Sequence, residues 1–182
     1  MTAKYVALLR GVNVAGTNKV KMDELRRLFA DLGHTEVGTY LQSGNVVFAD
    51  DAPGDDRTGL AAGIEKAIAD RMGLTVTVLL RTRAELEKVL AANPYLDRET
   101  DPAKLPVTFL AEAPDPERAA ALSIPAGETG VFTLIGREVY LHTPDGYGRT
   151  KLNNAFLERK LGVAATTRNW KSVGALHELL GG

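Results

Sequence analysis

The chain has 182 residues, 45% of them hydrophobic and 25% charged, with a formal net charge of −1. That composition suits one compact unit or two small globular domains, and the balanced charge excludes a protein dominated by a basic nucleic-acid surface. There is no cysteine, which excludes disulfides, thiol catalysis and cysteine-ligated metals and fits a cytoplasmic setting; the opening MTAKYVALLRG reads as neither a signal peptide nor a membrane span.

In chain order, YVALLRG reads as a buried strand and GVNVAGTNKVKM as a polar loop. Leu25, Leu28, Phe29 and Leu32 then recur at the spacing of an amphipathic helix, with Asp23 the expected N-cap and Gly33 the stop. VGTYLQ and NVVFAD flank Ser43 and Gly44 as a hairpin. An acidic loop leads to a helix bearing Leu60, Ile64 and Ile68, and VTVLLR closes the set as a strand. A helix over residues 83–93 follows, and Pro94 and Pro102 mark a boundary.

Beyond that boundary the order returns. LPVTFL is a strand, DPERAAALS a short helix, VFTLIG and EVYLHT a hairpin, TKLNNAFLERKLG a helix and ATTR a strand, with a last helix over residues 172–180. The fold class is therefore α+β: two tandem ferredoxin-like (βαββαβ) subdomains, each followed by an extra helix, divided as residues 1–93 and 94–182. The repeat is one of element order, with little residue identity between the halves.

Four stretches carry candidate site residues. The loop after the first strand is long and polar, with Arg10, Asn13, Asn18, Lys19 and Lys21; such loops bind ligands, although Asn and Gly also serve as turn formers. Gln42, Ser43 and Asn45 are ordinary hairpin residues that could also present polar groups to a ligand. PDGYGRTK lacks the spacing of a P-loop. It still places Thr150 as a helix cap between Arg149 and Lys151, where free amides favour an anion; the simpler alternative is a turn and a cap. TTRNWKSV offers Arg168, Asn169 and Lys171 around Trp170, which is either a stacking platform for a nucleotide or an anchor for the last helix.

His34, His142 and His177 lack metal-ligand spacing, and His142, before the glycine loop, is the best acid–base candidate, with no partner visible nearby. Asp50, Asp51, Asp55 and Asp56 read as solvated loop charges. No nucleophile elbow or dinucleotide fingerprint occurs, and no metal or cofactor is expected. Taking the first and third strands of each unit as parallel puts the 10–21 loop at the opposite sheet edge from Gln42 and Asn45, and residues 142–151 remote from residues 168–171. One shared site would then need opposed edges of the two halves to meet, bringing Arg10, Asn13 or Lys19 to Arg168 or Asn169.

YVALLRGVNVAGTNKVKMDELR, TYLQSGNVVF, YLHTPDGYGRTKLNNAFLERKLG and TTRNWKSV, in this order and nearly end to end, resemble the bacterial domain-of-unknown-function 1697 family. The resemblance implies two ferredoxin-like subdomains and no established activity. It covers Arg10, Gly11, Asn13, Asn18, Gln42, Ser43, Gly44, Asn45, Lys151, Leu152, Arg168, Asn169 and Trp170. The chain departs from the family pattern at Thr150, where serine is usual, at Ala15, where glycine is common, and at Ala175, where lysine is expected.

The leading expectation is a protein that binds an anionic ligand, nucleotide-like or nucleic acid, at polar loops between the subdomains. The residues expected to bind are Arg10, Asn13, Asn18, Lys19, Gln42, Ser43, Asn45, Lys151, Arg168, Asn169 and Trp170. The alternatives are an enzyme acting on a small phosphorylated or carboxylated metabolite, and a protein-interaction module. Local cations are few, so any single-strand binding is expected to be weak, with a shallow salt dependence.

Overall fold

The computed structural model describes residues 3–14, 16–51 and 57–181. The loop holding Asp55 and Asp56, and Ala15, lie outside these residues. Two four-stranded antiparallel sheets and six helices make an α+β chain among the described residues.

The contacts divide the chain into one unit of Met1–Leu86 with Leu176–Gly182, and a second of Glu87–Ala175. In the first unit the elements run β1 (Ala3–Leu9), α1 (Met22–Asp31), β2 (Thr35–Thr39), β3 (Asn45–Asp50), α2 (Arg57–Met72) and β4 (Val78–Thr82), and α3 (Arg83–Ala92) begins there. The strands lie in the order β2-β3-β1-β4. In the second unit come β5 (Val107–Leu110), α4 (Pro116–Ala121), β6 (Val131–Ile135), β7 (Glu138–His142), α5 (Asn154–Leu161) and β8 (Ala165–Arg168), and α6 (Trp170–Gly181) starts there. Its strands lie in the order β6-β7-β5-β8.

Strand alternation makes the first core. Tyr5, Ala7 and Leu9 of β1 face the same way as Val46 and Phe48 of β3 and Val78 and Leu80 of β4. Against them pack Leu25, Leu28 and Phe29 of α1 and Ile64 and Ile68 of α2. Each fully buried side chain of this kind contributes about 1.5–3 kcal/mol. In the second unit Leu110, Val139, Leu141 and Ala165 of the sheet meet Leu157 and Leu161 of α5.

Several local expectations change. β1 and β3 pair antiparallel, with Leu8 opposite Asn45, so the first and third strands are not parallel; β5 and β7 pair antiparallel likewise. Asp23 is not the N-cap of α1, because Lys21 holds that position and makes no side-chain cap bond. Leu32 follows the helix and is exposed, its row of the helix ending at Phe29. α5 starts at Asn154 rather than at Thr150, because Asn153 accepts the Phe156 amide and caps it, while Gly162 ends it at a φ of 73°.

Candidate functional site

The chain leaves β1 into loop 10–21, and this loop is held by its own asparagines. Asn13 (φ 54°) and Asn18 (φ 50°) occupy the left-handed region, which Asn tolerates better than most residues. Asn13 Nδ2 donates to Val20 O at 3.0 Å and to Gln42 O at 2.6 Å, and its Oδ1 accepts the Val20 amide at 2.8 Å. Asn18 Nδ2 donates to Gly11 O at 3.1 Å. The Arg10 amide donates to Thr77 O at 2.9 Å, fixing where the loop begins.

The bond from Asn13 to Gln42 overturns the expected separation of these two segments. β1 and β3 are antiparallel neighbours, so the end of β1 meets the start of β3 at one sheet edge. The Leu9 amide accordingly donates to Gly44 O at 2.9 Å. The hairpin loop is braced from within: the buried Asn45 side chain donates to Tyr40 O at 2.7 Å and to Ser43 Oγ at 2.9 Å. Gly44 has a φ of +86°, and a Cβ there would lie 2.4 Å from Val12 Cγ2. Leu41, 56% exposed with a φ of 60°, is held in a conformation costly for its side chain.

Beside this braced edge lies a cleft of about 730 Å³, lined among others by Asn13, Lys19, Lys21, Met22, Glu24 and Gln42. The first intrahelical bond of α1 runs from the Leu25 amide to Lys21 O, so the amides of Met22, Asp23 and Glu24 have no acceptor within the helix. Lys21 cannot supply one, since an ammonium only donates. Asp23 pairs with Arg26, which also donates to Thr39 Oγ1 at 3.1 Å, and that carboxylate is thereby partly offset. Lys19 and Lys21 are exposed and form no ion pair among the described residues. Among the described residues the cleft therefore joins two cations and three amides without a helix acceptor at the positive end of a helix, opposed by Glu24 and by Asp23, which Arg26 partly offsets.

In the second unit the glycine-loop donors already hold an anion, and it is the chain's own. Glu128 accepts from the Gly130 amide at 2.7 Å, the Thr150 hydroxyl at 2.8 Å and the Lys151 amide at 2.8 Å. Burial pushes its carboxyl up, but these three bonds, together with the nearby Lys151 charge, outweigh that and hold it below its ordinary value. The Lys151 ammonium reaches Ala126 O at 2.9 Å and borders a concavity of about 420 Å³ with Phe156 and Arg159.

Arg168 and Asn169 line a different, smaller concavity of about 250 Å³ with Tyr147 and Thr167. The Tyr147 hydroxyl donates to Thr167 Oγ1 at 3.3 Å, so residues 142–151 and 168–171 are not remote. β7 and β8 both run antiparallel to β5 and end at the same edge. Arg168 is buried, with bonds to Thr166 Oγ1 and Thr167 O, and burial lowers its guanidinium to about 10. Asn169 Oδ1 accepts the Ser172 amide at 2.9 Å in the manner of a cap for α6, whose first residue is the half-buried Trp170.

His142 has a partner the sequence did not reveal. Its Nε2 lies 2.9 Å from Glu99 Oε1, 43 residues away, and Tyr95 stacks on the ring at 6.1 Å. His34 packs against Phe29 and Phe48, and burial lowers its pKa although Asp50 opposes this. Among the described residues no group of three or more His, Asp or Glu side chains is placed to hold a metal ion, and no helix is long and apolar enough to cross a membrane.

The family model of the protein of unknown function DUF1697 matches residues 1–140. The chain belongs to this family. No curated protein matches it with significance. The structure of a conserved bacterial protein from Streptococcus pneumoniae superposes on the chain with a TM-score of 0.76, at 24% sequence identity and with 99% of each chain covered. At that identity the likeness speaks for the fold alone. The family match takes in loop 10–21, the hairpin loop at residues 40–44 and the whole lining of the cleft beside α1.

Proposed function

We propose that this DUF1697 protein binds a small anionic ligand, and that the cleft beside α1 is where it binds. The observation that carries this reading is the uncapped start of α1 opening onto the same space as Lys19, Lys21 and Gln42. Amides at a helix start and unpaired ammonium groups are the chemistry that takes a carboxylate or a phosphate. Asn13 positions the rim rather than the ligand, since its side-chain hydrogens and its oxygen are taken by the backbone of Val20 and Gln42.

Two cations cannot neutralise a run of phosphates, and the chain as a whole carries −1, so a small nucleotide-like or carboxylated molecule fits the cleft better than a nucleic acid. The scaffold of each unit reads as a ferredoxin-like sheet, on the support of the strand orders β2-β3-β1-β4 and β6-β7-β5-β8.

Native mass spectrometry of gently purified protein tests the reading. A retained phosphorylated or carboxylated molecule is expected, and it should be lost from the Lys19→Ala, Lys21→Ala double variant. Retention of the same molecule by that variant would place binding elsewhere, and co-purified RNA would replace a small ligand with a nucleic acid.

A further inference from the structure

A second cationic region lies on α5, in the other unit and independent of the cleft beside α1. Arg159 and Lys160 both sit over the Phe156 ring, at 5.6 Å and 5.9 Å from its centroid. Arg118 of α4 reaches Lys160 O at 3.4 Å, and Lys151 stands one turn before the helix with its ammonium held by Ala126 O. None of these four cations forms an ion pair among the described residues.

The nearby carboxylates Glu128 and Glu158 accept backbone amides and form no ion pair with these four cations among the described residues, although the Lys151 charge helps to hold the Glu128 carboxyl below its ordinary value. Glu128 holds the Gly130 and Lys151 amides, and Glu158 Oε2 accepts the Ala165 amide at 2.8 Å. The concavity of about 420 Å³ is lined by Lys151 and Arg159 together with Pro125 and Phe156. Asn153 also lines it, with its oxygen committed to the Phe156 amide and its Nδ2 left to donate.

We propose that this concavity is a phosphate-ester site, with Lys151 and Arg159 holding the phosphate and Phe156 and Pro125 lying beside the organic part. A dianionic head matches two cations better than a single carboxylate does. Arg159 adds a planar fork suited to phosphate oxygens, and Lys151 keeps two ammonium hydrogens beyond the one given to Ala126. The apolar part of the lining, Pro125, Ala155 and Phe156, distinguishes an ester from inorganic phosphate, and the size of the space suits one nucleotide rather than a strand.

The test is an amide chemical-shift titration of the full chain with adenosine monophosphate, with inorganic phosphate and with a short single-stranded RNA. Saturable shifts are expected at residues 151–159, with adenosine monophosphate binding more tightly than inorganic phosphate. Arg159→Ala should weaken binding at least about tenfold, the loss of one charge-assisted contact. Arg159 is exposed, so the fold should persist, and a thermal melt checks that. Lys19→Ala with Lys21→Ala should leave the shifts at residues 151–159 unchanged, which keeps this site separate from the cleft beside α1. No saturation at ligand concentrations of about 1 mM would overturn the proposal. So would equal affinity for inorganic phosphate, indifference to Arg159→Ala, or tighter RNA binding with a steep salt dependence.

Discussion

At the scale of single residues, the polar side chains of this protein divide into those that build its loops and those left over. Asn13 belongs to the first group, and Lys19 and Lys21 to the second. Removing the Asn13 amide breaks three hydrogen bonds and leaves the Val20 amide and two carbonyls to find new partners. Asn13→Ala should therefore destabilise the chain by about 2–3 kcal/mol, read as a shift in the urea midpoint, while Lys19→Ala should change stability by less than about 0.5 kcal/mol. Gly44→Ala should be at least as damaging as Asn13→Ala, since it combines a left-handed backbone with a 2.4 Å approach to Val12.

Glu128 gives a pH test. Its folded carboxyl titrates below the unfolded one, so its stabilising effect is fully present above the unfolded value and is lost as pH falls through the folded one. Urea denaturation at a series of acidic pH values should show Glu128→Gln with a flatter loss of stability than the parent. Equal slopes would mean that Glu128 does not hold the loop.

At the scale of elements, apolar periodicity was the most legible signal. Leu25, Leu28 and Phe29, and separately Ile64 and Ile68, lie in the core where their spacing put them. The start of α5 was less legible, because Thr150, Asn153 and Asn154 are all good capping types within one turn. The choice is made by contacts far along the chain. Glu128, 22 residues away, takes the Thr150 hydroxyl, and the core takes Leu152, which leaves Asn153 to cap. Asn153→Ala should therefore cost about 1 kcal/mol in thermal or urea unfolding.

The parallel first and third strands were an error that element order itself corrects: α1 returns the chain so that β2 runs with β1, and the hairpin then turns β3 against both. That error separated loop 10–21 from the hairpin loop, which Asn13 and Gln42 join.

At the scale of the whole molecule, two similar sheets carry two different polar edges. In the first unit the sheet edge is braced by asparagines, and the start of α1 beside it is left uncapped with lysines at its rim. In the second, Asp115 caps α4, the counterpart of α1, Glu128 takes the Thr150 hydroxyl and the Lys151 amide, and Lys151 and Arg159 border a concavity at α5 instead. The sequence showed which polar residues cluster in each motif. It could not show which were already satisfied, because the partners Glu128 and Glu99 sit in segments that carry no motif.

The central claim is that the uncapped start of α1 and its two lysines take an anion. Amide chemical shifts recorded while pyrophosphate is titrated into the full chain test it most directly. The account predicts saturable shifts at Met22, Asp23 and Glu24 and at the Gln42 side chain, and their loss in the Lys19→Ala, Lys21→Ala variant. Shifts absent from these groups, or unchanged in that variant, would contradict it.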